Sequence, residues 1–322
     1  MTERSMMAGV DVGGTNVKIA LVWSDGEVLA SRQIPTQAES GPAAGCERIV
    51  STLRQLLHAE GASIPPPRIV GVASAGLVDA VHNLVVDSPN LRSWERFPLA
   101  QRLGEGIGAA AYLENDVNAM AYGEWRFGAG RGTRHMVCLA LGTGVGGGLI
   151  LDGHLYRGAR GAAAELGHIT IDMHGPPCSC PNVGCLERHI GAGYISERAR
   201  AALAASARPS RLRDLEDIKP ETLFAAAEAG DIIAAEVLAE SGALLGQGLV
   251  SLVNIFDPER VVIGGGVALA GDWLLEPARR VVRARAMSVA AAEVEIVPAA
   301  LGHDGALIGA ALLAAARDAG TA

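Results

Sequence analysis

AGVDVGGTNVKIALV, residues 8–22, sets an apolar run, a glycine pair and a second apolar run within fifteen residues. Such short β-branched runs read as strands, and Gly13-Gly14-Thr15 between them as a tight turn. The pattern returns as MVCLALGTGVGGGLIL, residues 136–151, where five glycines interrupt two apolar runs. The echo is weak as sequence, yet it suggests a duplicated α/β plan. Glycine lacks a Cβ, so its N–H can approach a phosphate closely, and successive N–H groups form an anion nest. Thr15, Asn16 and Thr143 add side-chain donors, and Asp11 suits a Mg²⁺ that carries the phosphates, directly or through water. Neither stretch is a Walker A loop or a dinucleotide fingerprint, since no GK[ST] follows. The structural alternative is a pair of plain hairpins. Two such loops in one chain, one headed by an aspartate, favour the anion site.

Outward from these loops, Ser24-Asp25-Gly26 predicts a hairpin turn into a strand over 27–34. Ile49, Val50, Leu53, Leu56 and Leu57 recur at helical spacing and predict a helix over 43–60. Strands are expected at 68–73 and 109–113, with a helix over 117–127. Longer helices are expected over 189–205 and 232–254. A strand at 261–263 runs into Gly264-Gly265-Gly266, a helix begins near 273, a strand covers 293–297 and a helix covers 306–318. Strands alternating with helices make this an α/β protein. The expected boundary falls near Glu114: 1–114 with a returning helix, about 305–322, forms a small lobe, and 115–304 a large one.

Composition narrows the function. Of 322 residues 49% are hydrophobic but only 4% aromatic, so the core is built from Ala, Val, Leu and Ile. Forty-one glycines imply close backbone approaches. A net charge of −8 without a basic tract argues against a nucleic-acid partner. MTERSMMAGV is no signal stretch. The apolar runs 137–151 and 306–316 fall short of the roughly 18 residues a membrane span needs. The expectation is a soluble cytoplasmic protein without a membrane partner.

LENDVNAMAYGEW, residues 113–125, puts Asn115 and Asp116 where a strand stops and a helix starts. Asn and Asp are favoured helix caps. A carboxylate at the carboxyl end of a strand is equally well placed to enter a cleft. ELGHITIDMHGPPCSCPNVGCLE, residues 165–187, holds three of the five cysteines within eight residues. Cys178, Cys180 and Cys185 with His168 offer three thiolates and an imidazole, the donor set of structural zinc. The C-x-C spacing is not the C-x-x-C of a redox pair, and a reducing compartment disfavours disulfides. His174 and, further off, His189 compete as the fourth ligand. Cys46 and Cys138 read as small buried residues.

Together, 11–18, 114–116, 141–148, Glu165-x-Gly-His168 and CxC…GCxE resemble the ROK family of sugar kinases and sugar-responsive repressors, with the bacterial ROK glucokinases nearest. SPNLRSW (88–94), the 264–268 glycines and LGHDGALIGAA (301–311) extend the resemblance over nearly the whole chain. It implies an actin-like ATPase (ribonuclease H-like) fold, with two lobes around a cleft and a zinc-stapled loop. It further implies transfer of a phosphoryl group from ATP to the 6-hydroxyl of a hexose. By position, Asp116 would be the general base. Gly76, Asn90, Asn115, Glu165, His168 and Glu187 would join it in holding the sugar. Asp11, Gly13, Gly14, Thr15, Asn16 and Lys18, with Gly142, Thr143 and Gly144, would hold ATP phosphates and Mg²⁺. Gly264, Gly265 and Gly266 would lie near the nucleoside. His168, Cys178, Cys180 and Cys185 match the family's zinc ligands in spacing. One ring nitrogen of His168 would face zinc and the other a sugar hydroxyl. A homodimer or dimer of dimers is a family expectation. Glucose is the first substrate; glucosamine-type sugars, N-acetylglucosamine and N-acetylmannosamine are the alternatives. A sugar-responsive regulator is a remote one, because only ten residues precede Asp11 where such repressors carry a helix-turn-helix. Pro181 stands where the family has glycine, and RHIGAGYISERA after Glu187 also departs from the glucokinase pattern.

Overall fold

The computed structural model describes residues 4–61, 64–88 and 91–321. They form two compact units, Met1–Gly132 with Leu149–Ala163 and Ala300–Ala322, and Thr133–Gly148 with Ala164–Ala299. In chain order the first unit begins with β1 (Met6–Val12), β2 (Asn16–Trp23), β3 (Val28–Pro35), α1 (Pro42–Glu60), β4 (Ile69–Ser74), β5 (Leu77–Asp79) and β6 (Leu84–Asp87). It continues with α2 (Leu99–Ile107), β7 (Ala110–Asn115) and α3 (Asp116–Phe127). Next come β8 (Met136–Leu141), β9 (Val145–Leu151), β10 (His154–Leu155), α4 (Leu186–Ile190), α5 (Ala192–Ala205) and α6 (Pro220–Glu228). The chain ends with α7 (Ile232–Phe256), β11 (Arg260–Gly264), α8 (Asp272–Arg285), α9 (Ser288–Glu293), β12 (Glu295–Pro298) and α10 (Gly305–Asp318). The closing helix lies in the first unit, which runs on to Gly132 and also takes in Leu149–Ala163.

The first sheet has the order β3-β2-β1-β4-β7. β1 pairs antiparallel with β2 and parallel with β4, so the first glycine turn lies at one end of the sheet's middle. One face is covered by α1 and α2 through a core of Ile49, Leu53, Leu56, Leu99 and Leu103, with Trp94 fully buried beside it. The other face meets α10 almost backbone to backbone. A Cβ on Gly9 would collide with the Leu307 carbonyl, and one on Gly71 with that of Ala310. Gly309 presses in the same way on Ala119 of α3. A core short of aromatics gains contact by bringing main chains together, which explains much of the glycine and alanine content.

The second sheet has the order β10-β9-β8-β11-β12, with β11 parallel to both β8 and β12. α7 is the core helix of the second unit. Gly242, Gly246 and Gly248 leave room for Leu274, Ala278 and Leu186 against it. Among the described residues it is the helix long and apolar enough to cross a membrane, yet 56% of its apolar window is buried by the fold. The helix expected over 189–205 is broken at Gly191. That residue is extended (φ −62°, ψ 148°), and the next N–H, of Ala192, bonds to the Gly142 carbonyl instead of continuing α4. β5, β6, α2, α6 and α9 were not expected. β5 and β6 are only three and four residues long, and α2 carries Gly104 and Gly106, poor helix formers.

Candidate functional site

In the first unit Asp11 lies on β1 opposite Lys18 of β2 and beside Ala73 of β4. Burial raises its carboxyl above the ordinary aspartate range, and the Lys18 charge works against that rise. Lys18 Nζ stands 3.5 Å from Nδ1 of His303, a residue of the LGHDG stretch. The turn between the strands is closed by the Gly13 N–H on the Asn16 carbonyl (3.0 Å) and by Thr36, whose hydroxyl donates to the Gly13 carbonyl (2.7 Å). Gly13, Gly14, Gly142 and Gly144 are not left-handed; a Cβ on Gly13 would stand 3.0 Å from the Asn16 carbonyl and one on Gly144 2.5 Å from Glu187 Oε2, whereas one on Gly142 would meet nothing within 4 Å. Gly76, by contrast, has φ +98°.

Asn115, the last residue of β7, caps α3. Its Oδ1 accepts the N–H groups of Val117 (2.9 Å) and Asn118 (3.0 Å), and its Nδ2 donates to the Gly76 carbonyl (3.0 Å). The capping alternative therefore describes Asn115. Asp116 is left at the first helical position, where the helix N-terminus favours a negative charge. Its Oδ1 accepts the Val117 N–H at 2.9 Å. Behind the pair lies Glu114, 4% exposed. Glu114 accepts the Asn115 N–H and the Asn118 amide at 3.2 Å each, and Arg157 Nε at 2.8 Å. This buried brace is absent from the sequence-based site. Glu114 stands in the END run itself, but Arg157 carries no local signal and is found only by packing. Asn90 lies outside the described residues.

In the second unit His168, Cys178, Cys180 and Cys185 gather their donor atoms within 4.8 Å of one another. Cys180 Sγ and Cys185 Sγ are 3.7 Å apart, and Cys178 Sγ is 3.7 Å from His168 Nδ1. A Zn–S bond of about 2.3 Å in a tetrahedron gives a donor–donor edge of about 3.8 Å, whereas a disulfide needs about 2.05 Å. The four donors thus fit zinc in number, type and spacing. His174 and His189 lie outside this set. Burial and the neighbouring thiols push Cys185 up to about 12 when no cation is present, while the Asn182 N–H side of the loop lowers Cys180. The loop is folded back by paired segments, Thr170 with Cys185 and Pro177 with Val183. Gly184 at φ +59° packs on Asp172. The loop is thus closed with Pro181 in place.

Cys185 is followed at once by α4, which carries Glu187. Glu187 Oε2 accepts the Val145 N–H at 2.9 Å, and Oε1 accepts the Ser179 hydroxyl at 3.3 Å. Gly265, at φ +87°, lies against Leu141, so the Gly264–266 run meets the start of the second glycine turn. Glu165 ends the preceding loop as an exposed carboxylate, with its own C=O held by the His168 N–H (3.0 Å). The first unit thus gathers Asp11, Lys18, Gly76, Asn115 and Asp116. The second gathers the glycine turn, Gly264–266, the Cys/His set and Glu187. A cavity of about 960 Å³ between α1 and α2, lined by Cys46, Val50 and Phe97, involves none of these residues.

The chain is similar to proteins of known kind. The model of the ROK family matches residues 7–317. A glucokinase of Thermotoga maritima is 35% identical over 314 residues, covering 95% of this chain and 96% of that protein. An N-acetylmannosamine kinase of Salmonella paratyphi A is 34% identical over 306 residues, 95% of this chain and 97% of the other. Among solved structures, a ROK family glucokinase from Streptomyces griseus in complex with glucose and AMPPNP superposes with a TM-score of 0.82 at 31% identity, over 97% of this chain and 99% of that one. On this match, and on the ordered motifs that carry it, the chain belongs to the ROK family.

Proposed function

We propose that this protein is an ATP-dependent hexose kinase that phosphorylates the 6-hydroxyl of glucose. The observation that carries the reading is the division of labour at 115–116: Asn115 caps α3, and Asp116 stands beside it where the strand ends, at the first position of the helix. Asp116 takes the proton as the hydroxyl attacks, a role worth about 10²–10⁴-fold. Gly76, Asn90, Asn115, Glu165, His168 and Glu187 bind the sugar. In Asn115 one amide N–H remains beyond the bond to Gly76. The glycine turns at 13–16 and 142–144, with Lys18, hold the phosphates through N–H groups and charge, and 264–266 borders the nucleoside. Mg²⁺ bound with ATP and held from Asp11 supplies charge neutralisation on the phosphates. Zn²⁺ on His168, Cys178, Cys180 and Cys185 supplies a closed structural staple, with no position left for a substrate. Nδ1 of His168 faces the thiols, so Nε2 is the nitrogen left for a sugar hydroxyl, and the metal sets its tautomer.

The three grouped thiols suit a reducing, cytoplasmic setting, and the charge of −8 suits a small-molecule enzyme without a nucleic-acid partner. A homodimer or dimer of dimers completes the reading. Likeness to an N-acetylmannosamine kinase favours an amino-hexose substrate as the second reading. Coupled ADP release across glucose, mannose, glucosamine, N-acetylglucosamine and N-acetylmannosamine decides between them. Highest kcat/KM on glucose is expected, highest on an N-acetyl sugar installs the second reading, and silence on every sugar rejects both.

A further inference from the structure

The Glu187 carboxylate touches two loops at once. Oε1 takes the Ser179 hydroxyl (3.3 Å) and lies 3.9 Å from Cys178 Sγ, inside the cysteine loop. Oε2 takes the Val145 N–H (2.9 Å), at the end of the second glycine turn. Gly144 makes that contact possible, because a Cβ there would stand 2.5 Å from Oε2. A second tie lies one element on, from the Ala192 N–H at the start of α5 to the Gly142 carbonyl (2.9 Å). The segment that carries both ties, α4 and the first residue of α5, starts at a thiol of the donor set, since Cys185 is the N-cap of α4. Sugar recognition requires neither tie.

We infer that Glu187 is a positioning residue that transmits the state of the cysteine loop to the glycine turn, so that the metal on His168, Cys178, Cys180 and Cys185 raises affinity for nucleotide as well as for sugar. With the donors gathered, α4 is anchored at its N-cap, Cys185, and the Glu187 carboxylate holds the Val145 N–H in place beside the turn. With the donors released, the start of α4 is no longer pinned through Cys185, and the turn loses the preorganisation a phosphate requires. The inference rests on the reading of 142–144 as a phosphate turn and of the Cys/His set as a zinc site.

The test is equilibrium binding of AMPPNP with Mg²⁺, without sugar, to zinc-loaded and chelator-stripped full-length protein, with bound zinc counted by elemental analysis. Stripping is expected to weaken AMPPNP about ten-fold in the natural protein, within the usual range for coupled sites. In Gly144→Ala, which crowds only the far end of the Glu187 side chain, zinc is retained and the ratio falls to within two-fold of one. Glu187→Ala behaves likewise, and Glu187→Gln, which keeps an acceptor oxygen, recovers part of the ratio. A natural protein whose AMPPNP affinity ignores the loss of a bound zinc overturns the inference and leaves the kinase reading standing. Retention of the full ratio in Gly144→Ala also overturns it. A protein that takes up no zinc overturns the metal reading together with it. If the stripped protein unfolds by circular dichroism, zinc-loaded Glu187→Ala decides: about ten-fold weaker AMPPNP binding upholds the inference, and natural affinity rejects it.

Discussion

At residue scale, the carboxylate that matters most for geometry is one that no substrate is asked to touch. Glu114 is buried, and its two oxygens are shared among Asn115, Asn118 and Arg157. It fixes the end of β7 from behind, so Asn115 and Asp116 leave the strand in one direction. Its partner Arg157 is 21% exposed at the side chain, partly inside the fold. Removing one member of a buried pair leaves an uncompensated charge, at a cost of about 3–5 kcal/mol when burial is complete. Arg157→Met is expected to lower the urea unfolding free energy by about 3 kcal/mol, and the double variant with Glu114→Gln to recover part of it. Additive losses in that cycle would show that the two side chains do not act together. Glu114 was legible as part of an acidic run, whereas Arg157, 43 residues on, becomes visible only once the chain has returned to the first unit.

At the scale of the element, helix starts organise both units. α3 is capped by Asn115 and α7 by Asp231, whose Oδ1 accepts the N–H groups of Ile233 and Ala234. Burial alone would raise the Asp231 carboxyl, but bonds from Ser210, Ala234, Arg211 and Ile233 outweigh it and hold the group below the ordinary aspartate range. A folded-state pKa below the unfolded one adds stability that is fully present above the unfolded value, about 3.9, and is lost as pH falls through the folded value. Asp231→Ala is therefore expected to cost about 0.5–2 kcal/mol at pH 7, and the gap from the natural protein to narrow below about pH 4. A penalty that stays constant down to pH 2 would assign the loss to packing instead. The strands and helices that periodicity found are those with long apolar faces, such as α1 and α7. Those it missed are short, like β5 and β6, or diluted with glycine, like α2. The break at Gly191 was illegible for another reason: the carbonyl that claims the Ala192 N–H lies 50 residues earlier, on Gly142.

At the scale of the whole molecule, the two glycine turns and the cysteine cluster were readable because each is chemistry concentrated in a few adjacent residues. His168, Cys178, Cys180 and Cys185 bring their donor atoms within 4.8 Å of one another, and His174 is not in that group. What the sequence left open is how each motif is held. Backbone contact through Gly9, Gly71 and Gly309 in one unit, and Glu187 reaching back to Val145 in the other, depend on long-range approach. Residues 149–163 likewise join the first unit by packing with residues far from them in sequence. The claim on which the account turns is that Asp116 removes the proton from a bound hexose. The direct measurement is glucose-dependent ADP release by natural protein and Asp116→Asn, with glucose affinity measured by calorimetry on the same samples. The account predicts a kcat about 10²–10⁴-fold lower with glucose affinity within about three-fold, the amide keeping the acceptor but not the base. A kcat within ten-fold of the natural protein would contradict it.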